Sequence, residues 1–199
     1  MNKFLFLSLI IITACNQTKN HNKMDKKFQK LIELGAGEFE HVDGSLIAHL
    51  EGTRCLLKGW GASIELQDAG LYHAAYGTSA FEPSLLDMTA REQVQRIIGS
   101  EAENIVYHYC ACDRNVFFAQ FGQVNKPEFC NRLTKQKTPL SLILLQQLCE
   151  LTAANEIDIA INNPNFINQH GTGLLDLFTR MAPFLSANAK RKIQFVLAK

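Results

Sequence analysis

The 199-residue sequence predicts an all-α domain, and three observations carry that prediction. From Asp25 onward apolar residues recur at intervals of three and four, the spacing of one helix face. Residues that start helices (Asp, Ser, Thr) and residues that stop them (Gly, Pro) punctuate the chain between these stripes. No stretch alternates convincingly with the period of two expected of a strand, no Asn-Gly pair marks a hairpin, and there is no internal repeat.

A first helix spans Asp25 to Leu34, burying Phe28, Leu31 and Ile32, and Gly35 and Gly37 end it. Asp43 is placed to cap a second helix that runs to Lys58, with Leu46, Leu50, Thr53 and Leu57 on one stripe and Gly59-Trp60-Gly61 as its stop. Ser63 caps a third, Ile64 to Tyr76, closed by Gly77. Thr89-Ala-Arg-Glu92 and Ser100-Glu-Ala-Glu103 both have the form of a capping box, in which the hydroxyl takes the amide three residues on and the Glu reaches back. The helix after Thr89 ends at Gly99, and the one after Ser100 carries Ile105, Val106, Tyr109 and Cys110. After a looser stretch from Gly122 to Thr138, Thr138-Pro139 opens the longest helix, with Leu142, Leu145, Leu148, Cys149 and Thr152 as its core face. Asn162-Asn-Pro164 breaks it, and Thr172 and Ser186 cap two closing helices.

Composition narrows the function classes. Hydrophobic residues make up 47% of the chain, enough for one full core. The net charge is +1 with the basic residues scattered, so the electrostatic footprint of a nucleic-acid binder is missing. No apolar run reaches the roughly 20 residues that span a bilayer as a helix.

The N-terminus reads as an export signal. Lys3 precedes an apolar or small stretch from Phe4 to Ala14, and Cys15 follows Ile12-Thr13-Ala14 directly. That run resembles the lipobox of bacterial lipoproteins, which implies cleavage before Cys15, lipidation of Cys15, and a chain held at a membrane only through that anchor, facing the periplasm or the exterior. The polar residues 15–27 suit a tether. Against export stand Met24, from which translation would give a cytoplasmic domain, and the odd set of five further cysteines, several in apolar surroundings that suit reduced thiols.

Two histidines draw attention. His49 shares a helix face with Gly52 and Thr53, and His73 shares one with Ala69 and Gly70. Small neighbours allow two helix backbones to approach, so the two imidazoles can converge, and converging imidazoles suggest a transition-metal site. A His on one helix, an Ala-Gly-Leu-Tyr-His run on the next and the later Ala154-Asn-Glu-Ile-Asp158 run resemble the HD-domain superfamily, and His49-Leu-Glu-Gly-Thr53, Leu56-Leu-Lys-Gly-Trp-Gly61, Ala69-Gly-Leu-Tyr-His-Ala-Ala-Tyr-Gly-Thr78 and Ile98-Gly-Ser-Glu-Ala-Glu103 resemble an uncharacterised branch of it, over about Phe28 to Ala160. The resemblance implies an HD-like helical bundle over residues 28–199 and a metal-dependent phosphohydrolase or, in some relatives, a diiron oxygenase. His49 then matches the first His of the pattern and His73 the His of the His-Asp pair. Ala74 stands where that Asp belongs, and Asn155 where a late Asp is usual. Two lost carboxylates argue against a dinuclear centre.

The expectation is therefore a single divalent ion (Fe, Zn or Mn) on His49, His73 and a third group, with Asp113, His41 and Asn155 as candidates for it. A small-molecule cleft would be lined by His41, Thr53, Tyr76 and Asn155, and the reaction would be hydrolytic or oxidative. The alternative is a degenerate, non-catalytic HD-like module that binds a ligand or a partner, with both histidines as hydrogen-bonded core residues. Glu103 and Glu101 are read as first-turn acids that suit the helix dipole, and Arg91 and Arg114 as surface residues.

Overall fold

The computed structural model of the protein describes residues 25–36, 40–41, 44–79 and 84–198; the expectations placed on Cys15, the signal, the tether up to Met24, and Asp43 lie outside them. Nine helices stand among the described residues: α1 (Lys26–Glu33), α2 (Leu46–Trp60), α3 (Ile64–Tyr72), α4 (Arg91–Ile98), α5 (Ser100–Ala111), α6 (Arg114–Phe118), α7 (Leu142–Asn162), α8 (Pro164–Met181) and α9 (Ala187–Leu197). The class is all-α, as the periodicity predicts. Two antiparallel hairpins of two residues per strand depart from the expectation of no strands. In one, β1 (Glu40–His41) pairs with β2 (Gly44–Ser45); in the other, β3 (Phe129–Cys130) pairs with β4 (Lys137–Thr138). No helix among the described residues is long and apolar enough to cross a membrane.

Several termini follow the sequence rules. The Asp25 carboxylate accepts from the Lys27 amide to start α1, and Gly35, at φ +92°, ends it. Ser63, Ser141 and Ser186 each accept from the amide three residues on, the hydrogen bond of an N-cap. Gly61, at φ +81°, closes α2 while the Ala62 amide reaches back to the Leu57 carbonyl, a bond that only a left-handed residue at that point permits. Asn163 serves two helices at once. Its amide donates to the Ile159 carbonyl at the end of α7, and its side chain accepts from the Phe166 amide at the start of α8.

Others correct them. Ser45 caps α2. α3 stops at Tyr72, four residues early: the Ala75 and Gly77 amides bond three residues back, to the Tyr72 and Ala74 carbonyls, so the chain goes on in tight turns instead of α-helix. Cys110 Sγ donates to the His73 carbonyl, and the Leu85 and Leu86 amides donate to the Ala75 carbonyl. Neither capping box forms. Asp87 caps a 3-10 turn over Met88–Ala90 that runs into α4, and α5 begins directly after Gly99 with no side-chain cap. Thr172 starts nothing: α8 runs unbroken from Pro164, since the Asn163 cap with proline at the first helical position begins it eight residues sooner. With Ser141 as its cap, α7 places Leu142 in its first turn, 61% exposed, rather than in the core. In α1, Leu31 is buried but Ile32 is 43% exposed.

Helix α7 is the axis of the domain. Twelve of its 21 residues are buried, and it packs against α2, α3, α5, α8 and α9. A helix so widely apolar is stable only when surrounded. Two glycines set how closely its neighbours approach. A Cβ on Gly70 would sit 2.6 Å from Leu57 Cδ1, which explains how α3 lies directly on α2. One on Gly52 would sit 2.1 Å from Asp158 Oδ1, so the α7 carboxylate occupies the space a side chain of α2 would fill.

Candidate functional site

His49 and His73 do converge. Their ring centroids lie 5.1 Å apart with the planes at 85°, an edge-to-face contact between α2 and the end of α3, and the two residues are 8% and 2% exposed. Helix α7 meets this pair from the other side. His49 Nδ1 lies 2.7 Å from Asp158 Oδ2, and Nε2 lies 3.1 Å from Asn155 Oδ1. Asn155 Nδ2 donates to Glu156 Oε1 at 3.0 Å, which turns the amide oxygen toward His49. Both ring nitrogens therefore lie within hydrogen-bond distance of side-chain oxygens of α7. His73 Nδ1 is 2.7 Å from the Gly70 carbonyl, one turn back.

The contacts close into a circuit. Glu156 forms a 3.7 Å ion pair with Arg114, the Arg114 guanidinium lies 4.8 Å over the ring of Tyr109, and that ring meets His73 edge-on at 5.5 Å. Burial pushes the Glu156 carboxyl above the usual carboxylate range, against the pull of Arg114 and the Asn155 hydrogen bond. Thr53 Oγ1 and Tyr109 Oη are buried with no hydrogen-bond partner among the described residues.

The expected ligands fall in three places. His49, His73 and Asn155 come together. Asp113 instead caps α6, accepting from the Val116 amide, and pairs with Lys135 at 3.3 Å, so its carboxylate is committed at the end of α5 and the start of α6. The backbone of His41 lies in β1 opposite Gly44. Tyr76 belongs to a different cluster. Its hydroxyl donates to Glu103 Oε1 at 3.1 Å, and Glu103, fully buried, also accepts two 2.7 Å bonds from Arg91 and one of 3.1 Å from Gln95. Arg91 stacks 3.9 Å above Tyr107. Burial alone raises the Glu103 carboxyl, but Arg91, Gln95 and Tyr76 outweigh it and hold it below the usual range. Thus Glu103, besides standing in the first turn of α5, is the buried acceptor of a polar cluster, and Arg91 is its half-buried partner.

Asp158, Glu156 and Arg114 were absent from the sequence-derived site. Asp158 was within reach: it lies one turn beyond Asn155 on the same face, between Ile157 and Ile159, where an unpaired carboxylate is costly. Nothing local pointed to Arg114 or Glu156.

The residues do not fit a resident dication. Its donors at the convergence point would be two imidazoles and the neutral amide of Asn155. The carboxylate in contact, Asp158, engages the opposite edge of the His49 ring from Asn155, and so supplies no charge there. Among the described residues no three His, Cys, Asp or Glu side chains are grouped to hold a metal. The cysteines offer no alternative: Cys110 and Cys112 are free, buried thiols, pushed up to about 12 by burial.

Over residues 30–114 the chain is similar to a domain of unknown function (DUF6817). No curated protein and no solved structure matches it. The matched stretch holds His49, His73 and the whole Arg91–Glu103 cluster but ends before α7, which brings Asn155 and Asp158.

Proposed function

We propose that the chain is a degenerate, non-catalytic HD-like helical module that binds a ligand or a partner, with the His49–His73 cluster as its polar core. One observation carries the reading: both ring nitrogens of His49 are committed to side chains of α7, one of them to a carboxylate seated in the space left by Gly52. In an HD-like arrangement one of these nitrogens would be turned to an ion and the other to a hydrogen-bond partner, so it is the Asn155 contact on Nε2, beside the Asp158 contact on Nδ1, that leaves none for an ion. Ala74, 3% exposed, and Asn155 replace the two acids that such an ion would need. Elemental analysis of protein purified without chelator should find no stoichiometric iron, zinc or manganese, and added metal should leave the thermal midpoint unchanged. One tightly held ion per chain, lost in His49→Ala, would instead favour a mononuclear hydrolase or oxygenase.

We also propose that the module is displayed at a bacterial membrane by a lipid on Cys15, supported by the order of basic start, apolar core and Ile-Thr-Ala-Cys. Cys15→Ser should shift the protein from the membrane fraction and retain its signal. Unmodified protein beginning at Met24 in the cytosol would refute the anchor.

A further inference from the structure

The Arg114 end of the circuit is short of hydrogen bonds. A guanidinium offers N–H donors along its whole edge, and the Arg114 side chain is only 12% exposed, yet it makes no hydrogen bond among the described residues. Its contacts there are the ion pair with Glu156, at 3.7 Å too long for a hydrogen bond, and the face of the Tyr109 ring. Tyr109 is 3% exposed, and its hydroxyl also has no partner among the described residues. Buried polar groups are nearly always bonded, so two exceptions in contact with each other point to a third group that satisfies both.

Both residues line one small cleft. It measures about 10 Å³, the room of a single water-sized sphere. Phe117, Phe118 and Leu148 give it apolar walls. Of the other lining groups, Thr152 Oγ1 is spent on the Leu148 carbonyl at 2.7 Å, and Cys112, pushed up to about 12 by burial, stays a neutral thiol. Among the described residues no carboxylate lines the cleft, so its one formal charge is that of Arg114. Glu156, which stands outside it, is a weak counter-charge, because burial raises its carboxyl and its oxygen stays beyond the reach of a charge-assisted hydrogen bond. The apolar walls lower the local dielectric, which strengthens the pull of the guanidinium on an ion.

From the unspent donors, the sign of the charge and the size of the cleft, we infer that Arg114 and Tyr109 hold one monatomic anion, chloride, between a guanidinium N–H and the Tyr109 hydroxyl. A water would meet the donors and leave the charge unbalanced, and a carboxylate or phosphate group exceeds the room. The inference rests on the reading of the chain as a non-catalytic binding module and names a ligand for it. The two fail separately, since metal analysis decides that reading and salt exchange decides this one.

Thermal unfolding of the whole chain in sodium methanesulfonate, exchanged stepwise for sodium chloride at constant ionic strength, tests it. The midpoint is expected to rise by a few degrees and to saturate, as linkage to one bound ion requires. Tyr109→Phe keeps the ring against the guanidinium and removes only an unpartnered hydroxyl. In methanesulfonate it should therefore melt no lower than the wild type, while its chloride shift falls to less than about half. Glu156→Gln removes the competing carboxylate, can still accept from Asn155, and should bind chloride several-fold more tightly. The chloride NMR line should broaden with the wild-type protein and sharpen again when bromide is added. A midpoint indifferent to the exchange, a rise that never saturates, or a rise unchanged in Tyr109→Phe would overturn the inference. So would a Tyr109→Phe variant destabilised equally in both salts, since the two groups would then share a water.

Discussion

Truncating Glu103 to alanine is expected to cost about 3 kcal/mol of stability, read as a lower urea midpoint at pH 7. The side chain is fully buried and gathers four donors, two of them from one guanidinium in a fork geometry. Its removal leaves Arg91, Gln95 and Tyr76 without an acceptor. The cost sits at the lower end of that for breaking a buried ion pair, because the Arg91 side chain is 33% exposed and keeps access to water. Acid should act through the same group. Its folded pKa is held below the unfolded value of about 4.3, so its stabilisation is complete above that pH and is lost as the pH falls through the lower, folded value. Glu103→Gln should therefore show a flatter loss of stability below about pH 4. A truncation that costs less than about 1 kcal/mol would mean that the cluster is hydrated and not a buried pair.

Gly52→Ala and Gly59→Ala should move stability in opposite directions, although both change one atom of α2. Alanine ordinarily gains about 1 kcal/mol over glycine within a helix. At Gly59 nothing lies within 4 Å of the new Cβ, so most of that gain should appear. At Gly52 the Cβ meets Asp158 Oδ1 at 2.1 Å and Cγ at 2.8 Å. The carboxylate is short, buried and held by His49, so it has little room to retreat without breaking that pair. Overpacking together with the weakened pair should give a net loss of about 2–3 kcal/mol. Equal thermal midpoints for the two variants would show that α2 and α7 are not locked at this point.

The helical class and several boundaries are legible because they depend on local chemistry. Asp25, Ser63 and Ser186 act on amides two or three residues away, and Asn163-Pro164 stops α7. The Thr89 box gives way to a nearer cap, Asp87, and the Ser100 box fails because its decisive partner is not local. Glu103 has the spacing to reach back to its own cap, but Arg91, twelve residues away, offers a charged fork, and burial makes that offer stronger. The β1–β2 hairpin had a signal in Asp43-Gly44, a pair that favours tight turns, which was assigned to a helix cap instead. In the site, convergence of His49 and His73 was readable from small residues at helical spacing. What surrounds them was not, since Asp158 is 109 residues from His49 and only the packing of α7 across α2 brings it there.

That separation has a consequence for how the protein is made. A chain leaving the ribosome presents α2 and α3 long before their shared partner exists. At roughly 5–20 residues per second, the interval between the synthesis of His49 and that of Asp158 is on the order of 5–20 s. Throughout it α2 and α3, which carry the fully buried Leu50, Leu57 and Leu71, have no α7 to pack against. The stretch similar to DUF6817 ends inside this interval, so all of it is synthesised before the α7 residues that meet His49.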